Sequence, residues 1–125
     1  YYNGVVTKAA GGSGAGASCL DHDDAPDTVG SFDSVFFSCP TAFEDDGNGA
    51  AAARLAAGTN NTTAGTSTLT ETFVNGANEA AVTPFATLPT ISSFFTQVDY
   101  VGAVRDAADT WWQGWTCGLT ADTGC

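Results

Sequence analysis

Tyr2-Asn3-Gly4-Val5-Val6-Thr7 and Phe32-Asp33-Ser34-Val35-Phe36-Phe37 read as two versions of one unit. Each opens on an aromatic ring, passes through a turn-forming pair and ends in an apolar strand. A short apolar piece follows each, first Cys19-Leu20 and then Thr41-Ala42-Phe43, and each piece runs into a pair of acids, Asp23-Asp24 or Asp45-Asp46. The strands lie 30 residues apart and the acid pairs 22 apart; the Gly/Ala/Ser stretch from Ala9 to Ser18 absorbs the difference. Repeats of this length point to stacked units that share one core. The expected fold class is mainly all-β, with partial parallel β-helix, or solenoid, coils.

Working outward, Ala50–Ala57 is the best helix, rich in Ala and stopped by Gly58. Thr59–Thr68 is polar. Leu69–Val74 fits strand or helix, and periodicity does not decide between them. Asn75-Gly76 signals a turn, and Pro84 and Pro89 bracket a loop. Ile91–Val104 is the longest apolar stretch of the tail, ahead of Trp111, Trp112 and Trp115. The expected organisation is one domain: coils over residues 1–49, helix and loops over 50–90, and a C-terminal strand with an aromatic cap over 91–125.

A chain of 125 residues, 43% hydrophobic, has enough apolar material for a core, so disorder is excluded. No apolar run approaches the roughly 18–20 residues that a membrane-spanning helix needs. Lys8, Arg54 and Arg105 stand against 14 acidic residues, a net charge of −11. Such a surface repels phosphate backbones and excludes nucleic acid as a partner. The four cysteines, Cys19, Cys39, Cys117 and Cys125, show no zinc spacing and favour disulfides in an oxidising compartment. The expected pairs are Cys19–Cys39 and Cys117–Cys125, each worth roughly 2–4 kcal/mol. A chain that opens at Tyr1 and contains no Met also favours removal of something upstream. Asn60-Asn61-Thr62 and Asn61-Thr62-Thr63 are overlapping N-glycosylation sequons in a host with that chemistry.

The tail Tyr100-Val101-Gly102-Ala103-Val104, followed by Asp109-Thr110-Trp111-Trp112-Gln113-Gly114-Trp115-Thr116, resembles the C-terminal segment of a group of bacterial secreted and cell-surface proteins. Their pattern ends Asp-Trp-Thr-x-Gly-Trp-Thr; Trp112 stands here in place of the usual Thr. The resemblance implies right-handed parallel β-helix coils ahead of the segment, and a secreted or cell-surface location. It implies no catalytic residues.

Two acidic turns are the candidate metal site. Asp21, Asp23, Asp24 and Asp27 form one; Glu44, Asp45 and Asp46 form the other. Calcium takes six to eight oxygen ligands, which neighbouring turns of carboxylates supply. The alternative is solvated acid without a cation, and the calcium-loop pattern is broken at Ala25 and Pro26. His22 is the only histidine, and an isolated imidazole in an acidic turn is ordinarily solvated. No nucleophile motif is present, and no cofactor other than calcium is suggested. The three tryptophans with Tyr100 form either a plug over the core or a platform for stacking on sugars.

These readings make the chain a non-enzymatic extracellular structural protein, a self-assembling surface or filament subunit. The alternative is a secreted carbohydrate-binding or carbohydrate-cleaving module. Two coils leave a core cross-section bare, so copies are expected to stack through Val5, Val6, Trp111, Trp112 and Trp115 into a homo-oligomer or filament.

Overall fold

The computed structural model describes residues 1–8, 18–22, 29–44 and 49–117. Four strands come first: β1 (Val5–Thr7), β2 (Ser18–Asp21), β3 (Phe36–Ser38) and β4 (Thr41–Glu44). Three helices follow: α1 (Ala50–Ala57), α2 (Ala77–Ala80) and α3 (Leu88–Ile91). β1 pairs in parallel with β3, and β2 in parallel with β4. The repeat therefore produces the pairing expected of it, strand on strand and short piece on short piece.

The register is one residue away from the sequence alignment. Val5 pairs with Phe36 and Leu20 with Phe43, which are offsets of 31 and 23 rather than 30 and 22. The turn ahead of the strands sets this register. Asn3 and Ser34 both adopt left-handed backbone (φ 52° and 57°), and the Asn3 N–H donates to the Asp33 carbonyl at 3.1 Å. Asn60 repeats the conformation (φ 55°) at the next level, where the Ser34 N–H donates to the Thr59 carbonyl at 2.8 Å. On the other side of Asn3, the N–H of Gly102 (φ 82°) donates to the Asn3 carbonyl at 2.8 Å.

The expectation of an all-β solenoid is overturned. The described residues are 16% helix and 20% strand, with two short two-stranded sheets and no solenoid among them. Beyond β3 the pairing among the described residues shrinks to isolated bridges, Phe36 to Thr62, Thr70 to Val74 and Val74 to Val104. The reason is local chemistry. Polar Thr59–Thr68 supplies no apolar alternation for a third strand. Pro84, Pro89 and the left-handed residues Glu71, Thr72 and Gly102 then keep bending the chain. Ile91–Val104, read as apolar tail strand, forms no named strand; it begins as the last residue of α3 and continues as turns. The helix at Ala50–Ala57 forms as read.

The core lies between the two sheets and α1. Phe32, Val35, Phe37 and Leu55 are its buried centre, with Val6, Cys19, Leu20 and Phe43 packed against it. α1 contributes Leu55 and Ala51 from one face. Phe36 projects to the other side of β3 and is buried under Gly65; a Cβ at Gly65 would come within 2.3 Å of the Phe36 ring. β3 is thus covered on both faces, which explains its uninterrupted apolar run. Cys19 and Cys39 form the expected disulfide, with Cα atoms 5.6 Å apart. Cys117 is also disulfide-bonded, and its expected partner Cys125 lies outside the described residues. Among the described residues, no helix is long and apolar enough to cross a membrane.

Candidate functional site

β1 is the first candidate surface. The Gly4 carbonyl accepts from the Phe36 N–H at 2.9 Å, and the Lys8 N–H donates to the Ser38 carbonyl at 3.2 Å. In a parallel ladder alternate residues bond to alternate sides, so the main-chain groups of Val5 and Thr7 face away from β3. Among the described residues nothing hydrogen-bonds to them. The same side is closed one turn earlier, where Gly102 pairs with Asn3 and the Phe85 N–H donates to Asn3 Oδ1 at 2.6 Å. The tail thus covers the start of this edge and leaves Val5–Thr7 open. Of the two expected interface valines, Val6 packs on the core and Val5 lines a surface cleft.

The tryptophans divide. Trp112 is 8% exposed and meets Phe73 edge to face at 5.1 Å, closing a second small core with Val74 and Val104. Trp111 and Trp115 are 60% and 86% exposed. Carbonyls take the buried indole's N–H and one exposed partner's: Trp112 Nε1 donates to Asp109 O at 3.2 Å and Trp111 Nε1 to Ala103 O at 2.9 Å. One tryptophan plugs a core, and two stand on the surface.

Beside Trp111 runs a cleft of about 510 Å³ lined by Val98, Tyr100, Arg105, Asp106, Asp109 and Trp111. Arg105 pairs with Asp99 and lies 5.0 Å from the centre of the Tyr100 ring. Burial raises the Tyr100 pKa above the usual phenol value; the charges of Asp109 and Asp99 add to this, and Arg105 opposes it. Val98 and Tyr100 continue into an apolar cleft of about 480 Å³ beside Tyr1, Tyr2, Ile91 and Phe95.

The acidic turns meet where the structure describes them. Asp21 and Glu44 are direct register partners across β2 and β4, and Ser18 Oγ donates to Glu44 Oε2 at 3.3 Å. Asp23, Asp24, Asp27, Asp45 and Asp46 lie outside the described residues. Among the described residues, no three His, Cys, Asp or Glu side chains converge as a metal group.

Three side chains organise the tail and the turns in roles the sequence did not reveal: Asn61, Asn75 and Glu79. Asn75-Gly76 was legible as a turn, but not that Asn75 would be buried. Glu79 is fully buried, and no ion pair to it occurs among the described residues. It accepts from the Thr68 N–H at 2.9 Å, from Thr68 Oγ1 at 2.7 Å and from the N–H of Gly76, just ahead of α2, at 3.2 Å. Burial pushes the carboxyl up, but the bonds from Thr68 and Ser67 outweigh it and hold Glu79 below its ordinary value of 4.5. A carboxyl with a depressed folded-state pKa adds stability above its unfolded pKa. That stability is lost as pH falls through 4.5 and on through the folded value. Glu79→Gln should therefore cost roughly 2–3 kcal/mol at pH 7. It should also flatten the fall in melting temperature below pH 5. Parallel acid melting curves for the two proteins would disprove the carboxylate's role.

No protein-family model, curated protein or solved structure matches the chain.

Proposed function

We propose that this chain is a non-catalytic extracellular structural protein that associates with copies of itself through the open edge of β1. The observation that carries the reading is the pair of outward-facing residues Val5 and Thr7, whose main-chain groups are left unbonded beside a cleft. An open strand edge is a template for another strand. The disulfide and the likeness of the tail to secreted proteins support export. Exposed Trp111, Trp115, Phe94 and Tyr1 add apolar surface of the kind that marks contact sites.

Thr7→Pro tests the edge cleanly. It removes an outward N–H and leaves the bonds between β1 and β3 in place. Asp at Val6 would confuse the result, because Val6 packs on the core. Sedimentation velocity should show oligomers or polymers for the native chain and monomers for the folded variant. A second reading, carbohydrate binding, is favoured by exposed Trp111 beside Tyr100 in the acidic cleft. A native chain that stays monomeric and is retained on insoluble polysaccharide would replace the first reading with the second.

A further inference from the structure

The cleft beside β1 is lined by two buried asparagines, each with one half of its amide unpaired. It measures about 320 Å³ and is lined by Asn3, Val5, Leu69, Phe73, Asn75 and Gly102 among others. Asn3 is 8% exposed and Asn75 is 9% exposed. Asn3 Oδ1 is engaged by Phe85, yet Asn3 Nδ2 has no partner. Asn75 Nδ2 donates to the Val101 carbonyl at 2.6 Å, yet Asn75 Oδ1 has none. Gly102 brings these two amides to one wall. Its N–H holds the Asn3 carbonyl, and a Cβ placed on it would lie 2.6 Å from Asn75 Oδ1.

One donor and one acceptor, each costing about 1–3 kcal/mol while unpaired, are thus buried behind one wall of a cleft whose other side is an unpaired strand. Val5 belongs to both. The outward N–H and C=O groups of Val5 and Thr7 offer both donors and acceptors, as an extended peptide backbone requires.

Resting on the self-association reading, we infer that the occupant is a second copy's edge at Asn61–Thr63. Thr62 bonds inward to β3: its N–H donates to the Val35 carbonyl at 2.9 Å, and its carbonyl accepts from Phe37 at 2.8 Å. The main-chain groups of Asn61 and Thr63 consequently face outward, with no hydrogen bond among the described residues. This edge runs parallel to β3, as β1 does, so one head-to-tail operation matches the two open edges and repeats. Charge favours the same pairing. Gly58–Thr70 holds no charged side chain, and neither does Tyr1–Thr7, in a chain whose net charge is −11. The two ends can meet where other faces repel. Exposed Thr63 and Ala64 are small enough for the cleft beside Leu69 and Phe73.

The test is sedimentation velocity on the full chain with Leu69→Trp, which fills the cleft, and Thr63→Pro, which removes an outward N–H from the opposite edge. Each should weaken association at least tenfold, while Ser93→Ala, at an exposed position, should leave it unchanged. Circular dichroism establishes that each variant is folded, and Thr63→Pro keeps the test intact if Leu69→Trp does not fold. Association that survives Leu69→Trp and Thr63→Pro but is lost in Thr7→Pro overturns this docking and leaves the self-association reading standing. A native chain that remains monomeric overturns both.

Discussion

Phe37→Ala is expected to remove about 3–5 kcal/mol of stability, the usual range for truncating a buried phenylalanine. Phe37 is 2% exposed and sits at the middle of β3, facing Phe32, Val35 and Leu55. Its ring lies 6.5 Å from that of Phe32, which in turn stacks on Tyr1 at 5.3 Å. Deleting the ring opens a cavity that β3 cannot close. One of its edges is held by the pairing with β1, and the face opposite Phe37 is fixed by Phe36 beneath Gly65. Domains of this size have about 5–15 kcal/mol in total, so the variant should approach the unfolding limit. Urea unfolding should show a lower midpoint at an unchanged slope. A loss below 1 kcal/mol would place the core elsewhere.

The same two strands show what the sequence could and could not reveal. The apolar run Val35-Phe36-Phe37 and its likeness to Val5-Val6-Thr7 announced a parallel pair, and the pair forms. Aligning the units by appearance set Asn3 against Asp33 and Gly4 against Ser34. The backbone sets Asn3 against Ser34, because these are the two left-handed residues. Glycine or asparagine advertises that conformation, whereas serine does not, so the register was hidden by one position. The failure of the coils after β3 has a different origin. A repeat seen twice says nothing about a third level, and polar Thr59–Thr68 meets β3 through a few backbone bonds around Thr62 and through side-chain hydrogen bonds, without forming a strand of its own. In the tail, apolar content was mistaken for strand. Val101, Val104 and Trp112 are indeed buried, but turns deliver them. Of the candidate site, the open edge of β1 followed from the pattern. The orphan amides did not, because burial of Asn3 and Asn75 depends on chain segments that approach from the far end of the sequence.

Asn61 is the residue on which the third level depends, and Asn61→Ala is expected to cost about 3–5 kcal/mol. Its Oδ1 accepts from the Val35 N–H at 3.1 Å. Its Nδ2 donates to the Phe32 carbonyl at 2.7 Å and to the Leu55 carbonyl at 3.0 Å. One side chain thereby joins the entry of β3 to the end of α1. Alanine would strand two main-chain groups, the Val35 N–H and the Phe32 carbonyl, both in the buried core, whereas the Leu55 carbonyl keeps the Gly58 N–H at 3.3 Å. Each unsatisfied group costs roughly 1–3 kcal/mol. Asn61→Asp separates the two halves of the role. It keeps the acceptor for Val35 but sets a carboxylate against two carbonyls, so it should be at least as damaging as alanine at neutral pH. Protonation restores one donor, so part of the loss should return as pH falls below the carboxylate range. A glycan attached through Nδ2 would interfere with the same two bonds, so the folded chain should carry any N-linked sugar at Asn60, which is exposed. Hydrogen exchange at the Val35 amide provides the local readout. Its protection should collapse in Asn61→Ala, and protection equal to that of the native chain would show that the level is held by something other than this side chain.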